Sequence, residues 1–308
     1  MITTRKEWNE GEVIMLQSMW EQGYTVPQIA RKFGRSQESI KRKVVRMEVN
    51  GQLDHKRTTR NREPLSLKRY TDHLKLSGDI ITISDVHVPF WHRGLFDKMY
   101  GVAKKFKIST LGINGDFLNL DSFSHWITGF RGIEATEQEF ESASYVLLKA
   151  LEVFDKIYIT QGNHEDRLLK ILEGQVTARR FFRMLSDQIG KRIIVSDYPF
   201  FDVGENCRVI HPKQYSMAGG KTPAKIADKV GKHIISGHNH HWGIQFSLNG
   251  KWMGVDQGMG GDPEMIEYHA MSVTANPEWQ NGFTMIKDTF LYPFNLNTSD
   301  WKYWLGKR

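Results

Sequence analysis

Over the first fifty residues apolar positions recur at helical spacing; beyond residue 78 they gather into short continuous runs. Val13, Leu16, Met19 and Trp20 fall on one helical face, opened by Asn9 and Glu12 as a capping box and closed by Gly23. Thr25 with Gln28 repeats the capping pattern, and Pro27 is tolerated in that first turn, where amides lack intrahelical partners. The second helix runs to Phe33. Gly34 and Arg35 make a turn, Ser36 caps a third helix, and Ile40, Val44 and Met47 give it an apolar stripe. This is helix-turn-helix patterning. From Asn50 to about Lys75 it fades into a polar, basic stretch carrying Lys56, Arg57, Arg60, Arg62, Lys68 and Arg69.

Farther along, Asp79–Ser84, Ile108–Asn114, Lys156–Gln161, Cys207–Ile210 and His233–Ser236 have the composition of buried strands, and 134–154 and 166–189 that of helices. The alternation predicts a layered α/β sheet. Gly243–Val255, with Asn249-Gly250 at its turn, adds an antiparallel hairpin. The expected organisation is a helical module at 1–50, a basic linker at 51–76 and an α/β domain at 77–308.

Charge sharpens this division. Residues 1–75 hold 16 Lys and Arg against 9 Asp and Glu, and the remainder holds 26 of each, so the whole net charge of +7 lies in the first quarter. A basic segment on a neutral domain suits a polyanionic partner, and the exposed side of the third helix, with Arg35, Lys41, Arg42, Lys43 and Arg46, suits a phosphate backbone. The other reading is a solvated basic bundle packed on the main domain or on a protein partner. The single cysteine, Cys207, excludes an intrachain disulfide, and the chain offers neither a signal-peptide core after Arg5 nor an apolar span of membrane length, so the expectation is a cytoplasmic protein with no membrane partner.

The chemistry sits just after the strands, where loops leaving a rigid sheet converge. Successive runs end in Asp85-Val86-His87, Gly115-Asp116, Gly162-Asn163-His164-Glu165, His211 and Gly237-His238-Asn239-His240. Carboxylate, amide oxygen and imidazole without thiolate suit manganese, iron, zinc or nickel. Three oxygen ligands and four imidazoles exceed what one catalytic ion with open positions takes, whereas two ions sharing a carboxylate use them all. The glycines before Asp116, Asn163 and His238 are expected to let the backbone turn tightly into the site.

The order DxH, GD, GNHE, H, GHNH over about residues 79–290 resembles the calcineurin-like metallophosphoesterase superfamily. That resemblance implies an α+β sandwich of two mixed β-sheets flanked by helices and two divalent metal ions, manganese foremost. Asp85, His87 and His240 would hold one ion, Asn163, His211 and His238 the other, and Asp116 would bridge them. His164 would face the scissile phosphate, stabilising its charge or protonating the leaving oxygen. Arg167, one turn on, is either a phosphate clamp or a surface helix arginine. The sequence departs from the family in having Asn119 where an Asp usually partners that histidine, with Asp121 as a substitute, and Pro212 after His211 in place of glycine. His92, His125 and His241 take surface or supporting roles.

The segment EWNEGEVIMLQSMWEQGYTVPQIARKFGRSQESIKRKVVRMEVN, Glu7 to Asn50, resembles the Myb/SANT-like helix-turn-helix modules of bacterial and phage regulators, through Trp8, Trp20, Gln28–Ala30 and Lys43–Arg46. A catalytic core of this kind serves many phosphoesters, so the attached module implies the substrate: DNA, cut by a metal-dependent nuclease of the compact replication or repair type. Phe90, Trp91, Phe123, Trp126 and Trp242 are candidates to stack on unpaired bases, or core residues. The alternatives are a phosphomonoesterase or cyclic-nucleotide phosphodiesterase acting on small molecules or phosphoprotein, and a DNA-binding regulator with an inactive phosphoesterase domain.

Overall fold

A computed structural model describes residues 7–53, 73–123, 133–172, 175–184, 190–196, 198–266 and 278–306. The chain divides into two compact units, Met1–Thr71 and Asp72–Arg308. Most of the expected linker, including its basic residues from Lys56 to Arg69, lies outside the described residues.

In the first unit α1 (Glu10–Glu21), α2 (Val26–Phe33) and α3 (Gln37–Val49) follow the sequence pattern. Asn9 Oδ1 accepts the Glu12 amide at 2.8 Å while Glu12 accepts the Asn9 amide at 3.3 Å, Gln28 accepts the Thr25 amide at 2.9 Å, and Ser36 accepts the Ser39 amide at 3.2 Å. Leu16, Ile29, Ile40, Val44 and Met47 close one small core, ringed by Trp8, Val13, Met19, Trp20 and Phe33. Lys41, Arg42 and Arg46 remain exposed on α3, with Arg42 paired to Glu38, and Lys43 is half-buried with its ammonium over the Trp8 ring. Arg35, expected among the DNA contacts, turns inward instead. Its side chain is 6% exposed, bonds Glu12 at 2.8 Å and the Glu7 carbonyl at 2.8 Å, and lies 4.2 Å from the Trp8 ring. A guanidinium held from three sides stitches α1 to the turn before α3.

The second unit is built from β1 (Lys75–Leu76), β2 (Ile80–Ile83), α4 (Arg93–Phe106), β3 (Thr110–Asn114), α5 (Ile133–Leu151), β4 (Lys156–Thr160), α6 (Asn163–Ile171), α7 (Ala178–Met184), β5 (Ile193–Val195), β6 (Phe200–Val203), β7 (Cys207–Ile210), α8 (Lys221–Val230), β8 (His233–Ser236), β9 (Trp242–Phe246), β10 (Met253–Gln257), β11 (Gly282–Lys287), β12 (Phe290–Asn295) and α9 (Trp301–Leu305). Two mixed six-stranded sheets result, ordered β12-β11-β2-β3-β4-β5 and β1-β6-β7-β8-β10-β9. This is the expected sandwich flanked by helices. In β2 the alternation splits the residues: Ile80 joins Phe201, Val209, Ile235 and Val255 between the sheets, while Ile81 and Ile83 join Leu95, Phe96, Val146 and Leu147 under the helices. All four β2 residues are therefore buried, isoleucines on both faces and Thr82 with its hydroxyl bonded to Gln257 at 2.8 Å.

The helical stretch expected over 166–189 is two helices. α6 starts earlier, at Asn163, because Glu165 accepts the Gly162 amide at 2.8 Å, so the GNHE motif is a first turn and not a loop. Thr177 Oγ1 accepts the Arg180 amide at 3.2 Å and starts α7, and residues 185–189 lie outside the described residues. The β9–β10 hairpin forms with Phe246 opposite Met253 and Gly250 at φ +70°. Lys75 and Leu76, at the end of the expected linker, already belong to the sheet, paired with Asp202 and Val203. No described helix is long and apolar enough to cross a membrane.

Asp202 ties this sheet together. Its carboxylate, 3% exposed, takes Arg208 at 2.7 Å, Lys232 at 2.8 Å and His73 at 2.9 Å. Burial alone would raise its pKa, but the bonds from Arg208, Lys232 and His73 hold it well below the usual carboxylate range. A carboxyl depressed on folding adds stability above its unfolded value of about 3.9 and loses it as the pH falls toward the folded value. Asp202→Ala should lower unfolding free energy by about 3 kcal/mol in urea at pH 7, with the gap to wild type shrinking below about pH 4. An unchanged denaturation midpoint would show that the cluster is a solvated surface feature.

Candidate metal centre

Parallel strands bring the ligand types to one edge. β2, β3 and β4 of one sheet lead into Asp85 and His87, Asp116, and Asn163 and His164, while β7 and β8 of the other lead into His211 and into His238 and His240. Asp85 Oδ1 lies 3.2 Å from His240 Nε2, which is 3.1 Å from His87 Nε2. His211 Nε2 lies 3.3 Å from Asp116 Oδ2 and 3.2 Å from Asn163 Oδ1, and its ring is 5.4 Å from that of His238. Ligand atoms within 4.8 Å of one another thus form the trios Asp85-His87-His240 and Asp116-His211-His238, and Asp116 also groups with His87 and His164. All seven expected ligands converge, with Asp116 between the two trios.

Asp85, His87, Asp116, His238 and His240 adopt left-handed backbone angles, with φ of 52°, 47°, 47°, 78° and 57°. Each such conformation costs a non-glycine residue about 1–3 kcal/mol and persists only where neighbours enforce it. Here the Asp85 amide donates to the Gly115 carbonyl at 3.1 Å, the His87 amide to the Asp116 carbonyl at 3.1 Å, and the His238 amide to the Asp85 carboxylate at 2.9 Å. Glu165 accepts the amides of Asp116 at 3.1 Å and Leu118 at 3.0 Å besides that of Gly162. The glycines before the ligands serve differently from expectation. Gly115 does take a left-handed φ of +72°, but Gly162 is extended and Gly237 is not left-handed. What those two require is space: a Cβ on Gly162 would fall on the Asp116 carboxylate, and one on Gly237 would lie 2.7 Å from Asp85 Oδ2.

The electrostatics suit cations. Burial would raise the Asp85 carboxyl, but the His240 charge beside it brings it down to about 2; Asp116, likewise buried, is held well below the ordinary range by His211 and His164. Burial pushes His87 and His238 down, toward the neutral form that ligates, whereas Asp116 overcomes burial at His211 and lifts it to about 10. Asp116 Oδ2 is a buried carboxylate oxygen with no hydrogen-bond partner among the described residues, aimed at His211. The His211 imidazole 3.3 Å away compensates its charge, and the oxygen and nitrogen donors gathered around it fit a divalent ion on each side of Asp116.

His164 stands beside the trios, 4% exposed, its amide donating to Asp116 Oδ1 at 2.8 Å. Its Nδ1 donates to the backbone carbonyl of Asn119, so the substitution of Asn for Asp is bypassed: the main chain orients the ring. The Asn119 side chain serves His87 Nδ1 at 3.2 Å and Asp121 at 2.7 Å, and Asp121, expected as a substitute partner for His164, instead meets Arg167 at 3.6 Å. Arg167 places a guanidinium nitrogen 3.1 Å from His164 Nε2. Burial and Arg167 depress the His164 pKa against the pull of Asp116. His211 is held by its Nδ1, which donates to the Asn114 carbonyl at 2.8 Å, and this bond makes Pro212 compatible with the ligand's orientation. His92 accepts the Leu95 amide and caps α4, His241 bonds the Glu278 carbonyl, and His125 lies outside the described residues.

No protein-family model matches the chain, and no curated protein matches it in sequence. Similar solved structures include YfcE, a phosphoesterase from E. coli, at 15% identity and TM-score 0.36 over 71% of this chain and 93% of that one. Vacuolar protein sorting 29 from Entamoeba histolytica is similar at 11% identity and TM-score 0.34, over 70% and 97%. The same protein from Cryptosporidium parvum is similar at 12% and 0.33, over 71% and 96%. These likenesses are loose, and the functional reading stands on the side chains.

Sequence reasoning missed one group that holds both histidine loops. Asp256, at 1% exposure on β10, accepts Asn239 Nδ2 at 2.9 Å and the Gly220 amide at 2.8 Å, and also takes the Ser236 hydroxyl. Asn239 in turn accepts the Ser216 amide at 3.1 Å, joining the loop after His211 to the segment between His238 and His240. A carboxylate 45 residues past His211 and 16 past His240 carries no spacing signal. Asp256→Asn should lower affinity for manganese about tenfold or more in calorimetric titration while the far-ultraviolet circular dichroism is kept; unchanged affinity would mean the histidine loops hold themselves.

Proposed function

We propose that this chain is a metal-dependent phosphoesterase that hydrolyses DNA. The observation that carries the catalytic reading is the gathering of Asp85-His87-His240 and Asp116-His211-His238, linked through His87 and Asp116, with His164 and Arg167 beside them. Asp85, His87 and His240 would hold one divalent ion, Asn163, His211 and His238 the other, and Asp116 would contact both. Such ions, when bound, polarise the phosphoryl oxygens and make water a nucleophile at neutral pH.

The chain's own residues supply the rest. Arg167 leaves His164 to pair with a non-bridging phosphate oxygen, a charge-assisted contact stronger than its present one to a neutral ring. The released His164 Nε2 faces the phosphate; freed from the guanidinium and beside the phosphate anion, it takes up a proton from solvent and passes it to the leaving oxygen, while the Asn119 carbonyl holds Nδ1–H and fixes the ring. Asn119 and Asp121 hold His87 and Arg167 in register on either side.

DNA as the substrate is supported by the first unit: a three-helix bundle whose last helix leaves Lys41, Arg42 and Arg46 exposed, on a segment carrying all of the net charge. A DNA-binding unit on the same chain raises the effective concentration of phosphodiesters at the catalytic unit. Manganese-dependent cleavage of DNA that disappears in both His164→Ala and Asp116→Asn is the expected result. Hydrolysis of a small phosphate ester with DNA left intact would instead assign the chain to the phosphatases and make its basic unit a localisation device. The triple replacement Lys41→Glu, Arg42→Glu and Arg46→Glu should weaken DNA binding and flatten the slope of log affinity against log salt by about 3.

A further inference from the structure

The ring of Tyr215 is 53% exposed at the rim of the metal centre. It stands edge-on to the candidate ligand His238, with centroids 6.5 Å apart and planes at 86°, and 6.2 Å from the ring of His241. The ring is fixed at both ends. Its hydroxyl donates to Met217 Sδ at 2.9 Å and lies 3.4 Å from His241 Nε2, and the next residue, Ser216, is anchored by Asn239 of the GHNH segment. Lys213, on the same loop and 80% exposed, lies 4.0 Å from Asp166 of α6, the helix that carries His164 and Arg167. A cation, a pre-oriented aromatic face and a phosphate-binding centre therefore succeed one another within a few residues of His211.

The aromatic residues that the sequence offered for base stacking do not compete for this place. Phe90 is buried, Trp91 and Phe123 pack against the core beneath the helices, Trp242 is half-buried at the start of β9, and Trp126 lies outside the described residues. A flat ring held beside a phosphate site matches a ligand that carries a π-face one sugar away from its phosphate, which is a nucleotide unit. Its ordering has been completed before binding, so little rotamer entropy is lost when a base settles on it.

Resting on the reading of the site as a phosphoesterase acting on DNA, we infer that Tyr215 is the stacking platform for the base of the nucleotide whose phosphate occupies the metal centre, so that the substrate is unpaired nucleic acid. Both faces of a paired base are already covered by its neighbours in the duplex, and only a single strand or a frayed end offers one to the ring.

The test uses the full-length protein with manganese. Calorimetry compares dAMP with 2-deoxyribose 5-phosphate for wild type, Tyr215→Ala and Tyr215→Phe, and cleavage compares a single-stranded oligonucleotide with the same strand carrying one abasic nucleotide. Wild type should bind dAMP about tenfold or more tightly than the sugar phosphate, Tyr215→Phe should keep that preference, and Tyr215→Ala should lose it. The abasic position should slow cleavage by wild type at that position and leave Tyr215→Ala unaffected. Equal or absent binding of dAMP and sugar phosphate by wild type, retention of the preference in Tyr215→Ala, or tighter binding of phosphotyrosine than of dAMP would each overturn the inference. DNA left uncut, with a Tyr215-dependent preference for dAMP, would remove the nuclease reading and leave the stacking platform standing; cleavage slowed equally in both proteins by the abasic site would do the reverse.

Discussion

Much of the second unit depends on one buried carboxylate. Asp116 leaves β3 at 1% exposure, accepts the His164 amide with one oxygen and presents the other to His211. A carboxylate stripped of water is tolerated only with compensating charge, and in this chain it comes from His211 of the opposite sheet and from His164 after β4 of its own. The two sheets must therefore meet in one relative position, since a shift of a single residue along β7 would carry His211 away from Asp116 and leave the charge alone. The centre is thus part of what aligns the sandwich, in addition to being its product.

That requirement explains the backbone around it. Five of the seven ligand residues sit in left-handed conformations that L-residues avoid, and the bonds that hold them run from one motif to another: Asp85 to Gly115 and to His238, His87 to Asp116, Asp116 to Glu165. Strain in each loop is supported by the others, so the ligands are pre-arranged for ions that demand fixed directions. Gly162 and Gly237 complete the arrangement by leaving room for carboxylates that a methyl group would displace.

The two units divide the physics of recognition between them. The helical unit carries the net charge, whose attraction for a polyanion is long-ranged and indifferent to chemistry at any one bond. On the proposed reading the sandwich supplies the short-ranged groups, Arg167 and His164 for a phosphate and Tyr215 for a base, that act only on contact. Long-range capture with short-range selection is the combination a phosphodiesterase on a polymer needs.

The interior strands, the first three helices and the candidate ligands could be read along the chain, because each of these signals is written locally. Three helices were legible from capping residues and 3.6-residue stripes, the interior strands from apolar runs buried on both faces, and the ligand set from polar clusters placed just after those runs. The sequence did not show β1 and β5, short edge strands that form only against β6 and β4, nor β6, β11 and β12, which fold into the β6–β7 and β11–β12 hairpins, nor α4, α8 and α9, nor the break between α6 and α7. The side-chain contacts came only with the folded chain: Arg35 braced against Glu12 and Trp8, His164 oriented by the Asn119 main chain and not by Asp121, and Asp256 and Tyr215 brought beside the histidine loops. Each of those depends on which side chains, between 17 and 45 residues apart, come into contact, and side-chain direction over such separations is set by packing and not by any spacing along the chain.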